Sequence, residues 1–176
     1  SANKKISYIP NGVNIDRFDK VNVRKEKTLT LIFVGRLHPQ KNLVTLIYAI
    51  AKVKKEIPDI RLRVVGDGPR REEINKLIKQ QSLESNVELL GEIDGSSLVK
   101  LYKSSHLFIL ASIYEGQPLT LLEAWAAKLP VVVTKTGDCQ FLVKNGHNGY
   151  LINNPHDTNE IASVISKALT SKNLEK

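Results

Sequence analysis

The chain has 176 residues and a formal charge of +8, a length that fits one domain able to bury most of its apolar surface. One cysteine, Cys139, excludes an internal disulfide, and the lack of any CxxC or His/Cys cluster argues against a structural metal and for a reducing, cytosolic setting. No apolar run approaches the ~20 residues that span a bilayer, and no signal peptide opens the sequence.

The absence of methionine and the opening Ser1-Ala2-Asn3 suggest a piece of a longer protein. The basic charge favours anionic partners such as nucleotides, phosphates or an acidic membrane surface, against the plainer reading of lysines as a solvated coat.

In chain order, Ile6 to Ile9 reads as a short strand ended by the turn signal Pro10-Asn11-Gly12. Thr28 to Val34 is an apolar, β-branched run of the kind buried on both faces of a sheet. Leu43, Leu46, Ile47, Ile50 and Val53 recur at helical spacing up to Pro58. Arg61 to Val65 reads as a strand, and Gly66-Asp67-Gly68-Pro69 leads into a helix through about Gln81, with Pro69 in its first turn.

The alternation continues with a strand at Val87 to Leu90, a helix at Ser96 to Lys103 and a strand at His106 to Leu110. A helix is expected at Pro118 to Ala127, a strand at Val131 to Thr134 and a helical turn at Gln140 to Val143. Gly149 to Ile152 and Thr158 to Leu169 read as the last strand and helix. Such alternation predicts a Rossmann-like α/β domain, its mostly parallel sheet covered by helices on both faces.

Three segments could carry chemistry. Gly35-Arg36-Leu37-His38-Pro39-Gln40-Lys41-Asn42 follows a strand and precedes a helix. There Gly35 lets backbone approach a ligand, while Arg36 as a fork and Lys41 as a point charge can converge on a diphosphate. The alternative is a pair of exposed loop cations, and His38 reads more simply as a solvated side chain than as an acid or base. Gly66-Asp67-Gly68-Pro69-Arg70-Arg71 begins like a dinucleotide fingerprint, but Arg71 stands where the third glycine belongs. A tight turn whose backbone could border a ligand is the better reading, and NAD binding is disfavoured.

The third segment runs from Glu115 to Glu123. The N–H groups near Leu119 and Thr120 would face an anion, with Glu115 just outside the helix and Glu123 interrupting its apolar face. A buried carboxylate needs partners, whereas a helix-start charge and a surface glutamate need none. Sequence spacing does not show two carboxylates flanking a scissile bond, so holding hydroxyl groups suits this pair better than hydrolysis.

Pro10-Asn11-Gly12-Val13 with Phe18, Gly35-Arg36-Leu37 with Lys41-Asn42, Val65 to Pro69, Leu90-Gly91, Glu115-Gly116 through Glu123-Ala124, Pro130-Val131-Val132 and Asn145-Gly146 with Gly149 occur in that order. Together they resemble the carboxyl-terminal, nucleotide-sugar-binding domain of GT-B glycosyltransferases of the retaining group-one family, which includes glycogen synthase. The resemblance covers nearly the whole chain. It implies that Arg36 and Lys41 bind the donor diphosphate and stabilise the departing anion, that Glu115 holds the sugar hydroxyls, and that Glu123 holds the ribose hydroxyls. It places Gly35, Gly66, Gly116, Gln117, Pro118, Leu119 and Thr120 along the phosphate and sugar, and Glu92 and Ile93 at the nucleobase. It also implies a UDP-, GDP- or ADP-sugar donor, no metal or other cofactor, and a separate amino-terminal acceptor domain. Peripheral contact with the inner face of a membrane is a further expectation. A regulatory or nucleic-acid-binding Rossmann-like domain is the competing class, weakened by the scarcity of clustered aromatics for base stacking. Departures from the family pattern fall at Lys128 and Asp138, where glycine is common, and at Phe141, near which an acidic residue is common.

Overall fold

The computed structural model describes residues 10–171, so the strand expected at Ile6 to Ile9 lies outside the described residues. Strands β1 (Thr30–Val34), β2 (Arg61–Val65), β3 (Val87–Gly91), β4 (Leu107–Leu110), β5 (Val131–Thr134) and β6 (Tyr150–Ile152) form one sheet in the order β3-β2-β1-β4-β5-β6. Every neighbouring pair is parallel. β1, β4 and β5 are buried at every residue, as expected for strands whose both faces are covered.

The crossovers are helical. α1 (Asp16–Asp19) is a short helix that the periodicity does not announce, and its Phe18 is buried. α2 (Leu43–Glu56) packs against α3 (Arg71–Gln80) and α7 (Thr158–Thr170), while α4 (Gly95–Ser104) meets α1. α5 (Leu119–Ala126) follows β4, and α6 (Cys139–Leu142) follows β5. Asp157 caps α7 by accepting the N–H groups of Asn159 at 2.8 Å and Glu160 at 3.2 Å.

Two helix starts differ from expectation. Pro69 lies ahead of α3, whose N-cap is Arg70; the Arg70 N–H is bonded to the Leu37 carbonyl at 3.1 Å, which ties the helix start to the loop after β1. Pro118 is the N-cap of α5, with an extended ψ of 118°, and the first helical residue is Leu119. β1 starts two residues after Thr28, where the Thr30 hydroxyl donates back to the Thr28 carbonyl at 2.8 Å.

This strand order reverses direction between β1 and β4. In an open parallel sheet, the loops leaving the carboxyl ends of the two strands at such a point diverge and leave a crevice. Those loops are residues 35–42, the first segment singled out for chemistry, and 111–118, which contains the start of the Glu115 to Glu123 segment.

Candidate active site at the carboxyl ends of β1 and β4

The first wall is built by interlocking backbone. Gly35 donates its N–H to Val65 O at 3.0 Å, and Leu37 donates to Asp67 O at 2.9 Å. Gly66 adopts φ +123°, and a Cβ there would lie 2.1 Å from the Gly35 carbonyl oxygen. Only glycine permits that approach. Arg36, Gly35, Gly66, Glu92 and Ile93 line a cleft of about 880 Å³ over the ends of β1, β2 and β3. Arg36 is exposed and has no ion-pair partner among the described residues.

Residues Pro39–Lys41 form a 3₁₀ turn, capped by His38 Nδ1, which accepts the Gln40 N–H at 3.4 Å. His38 is therefore an exposed turn cap. The turn delivers Lys41 to Glu115, with Nζ 2.6 Å from Oε1. Glu115 is buried, so the ammonium answers its need for a partner.

Three further contacts fix the two loops against each other. Ile113 donates its N–H to Gln40 O at 2.8 Å, and Gln40 Nε2 donates to Tyr114 O at 2.8 Å. Asn42 is buried in a left-handed conformation, φ 55°, and its Nδ2 donates to Ala111 O at 3.1 Å and Pro155 O at 2.6 Å. Its Oδ1 accepts from Thr45 Oγ1 at 2.6 Å. Asn42 thus joins the loop carrying Lys41 to the loop carrying Glu115.

From the far side, Gly137 presses on the same segment. A Cβ at Gly137, where φ is +51°, would lie 1.9 Å from the Glu115 carbonyl oxygen. Asp138 then donates its N–H to Gly116 O at 2.9 Å, so an aspartate at this position keeps the contact through its backbone. Cys139, next in line, is buried, and burial first, then the Glu115 and Asp138 charges, push its thiol up to about 12.

α5 begins beside the pair. Its leading N–H groups, at Leu119 and Thr120, precede the intrahelical ladder and face outward from the helix start. Asn11 clasps the approach to the helix: its backbone N–H donates to Gln117 Oε1, and its Nδ2 donates to Gln117 O at 3.0 Å. Glu123 is half-buried and accepts a hydrogen bond from Tyr102 Oη at 3.0 Å.

The structure therefore gathers Arg36, Gly35, Gly66, Glu92 and Ile93 on one cleft, and brings Lys41, Glu115 and Gly116 together beside the start of α5, which carries Pro118, Leu119, Thr120 and, one turn on, Glu123. A different cleft, of about 500 Å³ and bordered by Trp125 and Tyr150, lies by the amino-terminal ends of β5 and β6, away from these loops. Tyr102 and Gly137 carry no local signal of their own, and Asn11 and Asn42, which stand in the turn and in the family pattern, show their contacts with Gln117, Ala111 and Pro155 only once residues distant in sequence are brought together. Among the described residues, no group of three or more His, Cys, Asp or Glu gathers as metal ligands, and no helix is long and apolar enough to cross a membrane.

Positively charged Arg36 and Lys41, outward N–H groups of a helix start, and hydrogen-bond-accepting carboxylates at both ends make a surface suited to an anion that carries hydroxyl groups. Known proteins share this architecture. An Escherichia coli UDP-Gal:alpha-D-GlcNAc-diphosphoundecaprenol alpha-1,3-galactosyltransferase is 33% identical over 175 residues, 92% of this chain and 44% of that protein. The sucrose-phosphate synthase of Thermosynechococcus elongatus superposes with a TM-score of 0.80 at 27% identity, over 94% of this chain and 46% of that one. The pneumococcal O-GlcNAc transferase GtfA, solved with UDP and GlcNAc, superposes with a TM-score of 0.77 at 28% identity, over 86% of this chain and 31% of that one. The chain thus spans less than half the length of these relatives. The family model for glycosyl transferases group 1 matches residues 14–176, and with a Rossmann-like sheet of GT-B type the chain belongs to that family.

Proposed function

We propose that this chain is the donor-binding domain of a retaining hexosyltransferase, in which a nucleotide-diphosphate sugar lies across the carboxyl ends of β1 and β4. The observation that carries the reading is the Lys41–Glu115 pair at 2.6 Å, set at the switch point of the sheet. Lys41 has three N–H donors; one is on Glu115, and two remain for phosphate oxygens. Arg36, exposed in the adjoining cleft, adds a planar fork for the same diphosphate.

The chemistry follows from placement. When the bond between the sugar C1 and the diphosphate oxygen breaks, negative charge grows on the diphosphate, and Arg36, Lys41 and the N–H groups of Leu119 and Thr120 stabilise it. Glu115, with Gly116 and Gln117 behind it, accepts hydrogen bonds from sugar hydroxyls. Glu123 accepts from the ribose, and Glu92 and Ile93 border the base. Gly35 and Gly66 admit the ligand to the backbone, and Pro118 sets the angle at which α5 meets it. No metal is assigned to the diphosphate, because two cations and a helix start already oppose its charge.

The names of relatives support a UDP-sugar, but GDP- and ADP-sugars share the diphosphate and ribose that these residues address. The acceptor, a glycan, lipid or small molecule, belongs with an amino-terminal domain across the cleft. The place of work is the cytoplasm, with peripheral contact at the inner face of the membrane where the acceptor is a lipid.

Calorimetry with UDP, GDP and ADP, each with and without its sugar, tests the reading. One nucleoside diphosphate should bind, and Arg36→Ala and Lys41→Ala should each weaken it by about 1–3 kcal/mol, the scale of a charge-assisted hydrogen bond. Unchanged affinity in both variants would remove the diphosphate assignment. A short duplex should bind more weakly than the nucleotide; tight, steeply salt-dependent duplex binding, indifferent to Arg36→Ala, would favour the nucleic-acid class instead.

A further inference from the structure

Tyr102 belongs to α4, an element outside the loops that form the donor site. Its ring is fully buried, with Phe18 edge-on at 6.2 Å and 60°, and Phe108 tilted at 6.2 Å and 37°. Burial of the whole side chain, with aromatic neighbours on two sides, fixes the ring in place, so its hydroxyl sits at a fixed point. That point is beside α5: Tyr102 Oη lies 3.0 Å from Glu123 Oε2, with the Thr120 carbonyl at 3.5 Å, the outer limit of a hydrogen bond.

The direction of this bond is set by chemistry. Burial first, and then the neighbouring Glu123 charge, push the phenol far above its ordinary range, so Tyr102 keeps its proton and donates. Glu123 has a flexible stem and projects from a helix whose apolar positions Leu121 and Ala124 are buried. Held at Oε2, its carboxylate has Oε1 left to accept. A ribose offers two adjacent hydroxyl donors, and meeting them with a carboxylate whose orientation is already set avoids the entropy cost of ordering it on binding.

We propose that Tyr102 is a positioning residue for the donor site, holding one oxygen of Glu123 so that the other meets the ribose. The inference rests on the ribose reading of Glu123. The competing account is that a buried tyrosine needs a partner and Glu123 provides it, with no consequence for ligand choice.

Binding of UDP and 2′-deoxy-UDP to the wild-type chain, Tyr102→Phe and Glu123→Gln separates these accounts; GDP or ADP and its 2′-deoxy form replace them if that base binds tighter. The wild type should prefer the ribonucleotide by about tenfold, the size of one good hydrogen bond. Tyr102→Phe keeps every ring contact and should reduce the preference to about twofold, weakening UDP more than 2′-deoxy-UDP, which keeps only the 3′-hydroxyl. A lower melting temperature with the tenfold preference intact overturns the proposal, as does an equal loss for both nucleotides. If Glu123→Gln erases the preference while Tyr102→Phe retains it, the ribose reading stands and the role of Tyr102 falls. If Glu123→Gln also retains it, or the wild type has none, the ribose reading falls and takes the proposal with it. Should Tyr102→Phe not fold, Tyr102→4-fluorophenylalanine fills the space of the hydroxyl without a proton to donate; a preference reduced to about twofold supports the proposal, and an intact tenfold preference in the folded protein overturns it.

Discussion

Lys41 and Glu115 are not equal partners. Their side chains are 21% and 7% exposed, so deleting the lysine leaves a carboxylate with little access to water, whereas deleting the carboxylate leaves an ammonium with more. Lys41→Met should therefore destabilise the chain by about 2–3 kcal/mol, toward the lower end of what breaking a buried pair costs, and Glu115→Gln by about 1 kcal/mol or less. Urea unfolding of both variants checks the order, and equal losses would mean that Glu115 finds other relief. The same melts give the stability baseline against which the nucleotide affinities of these variants must be read. A second residue-scale outcome concerns His106, whose Nδ1 accepts the Thr30 N–H at 3.1 Å. Burial first, then Lys25, hold its imidazole below the ordinary 6.5, with Glu26 opposing. The unfolded chain thus takes up this proton near pH 6.5 and the folded chain only at lower pH. The stability due to neutral His106 is whole above that pH and is lost as pH falls through the folded-state value. The urea midpoint should fall between pH 7 and pH 5 in the wild type and fall less in His106→Asn; parallel slopes would place the acid sensitivity elsewhere.

At the scale of elements, α5 ends with a reciprocal pair of hydrogen bonds, Leu129 N–H to Ala124 O at 2.9 Å and Lys128 N–H to Trp125 O at 2.8 Å. This is the Schellman arrangement, and it requires the residue after the cap to be left-handed. Lys128 takes that conformation, φ 59°, where glycine would carry no Cβ strain. Lys128→Gly should therefore raise stability by about 0.5–1 kcal/mol, the left-handed strain relieved less the greater freedom glycine has when unfolded. A lower thermal midpoint would show that the lysine charge at the helix end outweighs the strain. Element boundaries also show what local sequence carries. β5 falls where its apolar run places it, because a strand buried on both faces needs little beyond continuous β-branched residues, and β2 keeps the bounds that its alternation of arginine and apolar residues gives it. The starts of α3 and α5 do not: Arg70 is the N-cap of α3, its N–H bonded to the carbonyl of Leu37 on another loop, and Pro118 is the N-cap of α5. The site divides in the same way. Arg36, Lys41, Glu115 and Glu123 stand out as charges in loops or on an apolar helix. Tyr102 does not, since a tyrosine on the buried face of α4 looks like core until α5 packs against it and its hydroxyl meets a carboxylate.

For the whole molecule, the sheet order puts the charged loops along one edge of an open crevice, and nothing within residues 10–171 closes it from the opposite side. Around that edge Ile113, Tyr114, Leu119 and Phe141 are exposed, an apolar margin of the sort that a second surface covers. Transfer needs the acceptor oxygen held within roughly 3–3.5 Å of the sugar carbon, and in the proposed function the loops after β1 and β4 supply charge stabilisation without that alignment. The chain by itself should accordingly bind its nucleotide with Arg36, Lys41 and Glu123 contributing as argued, yet transfer sugar to added glycan, lipid or small acceptors no faster than the uncatalysed background. Adding the amino-terminal domain proposed above should give turnover while changing nucleotide affinity far less. Measuring product formation and nucleotide binding on the same preparations separates the two contributions: binding without turnover in the short chain, and both in the long one, is the expected pattern. Robust transfer by the short chain to a defined acceptor would show that these loops align both substrates, and the two-domain division of labour would have to be abandoned.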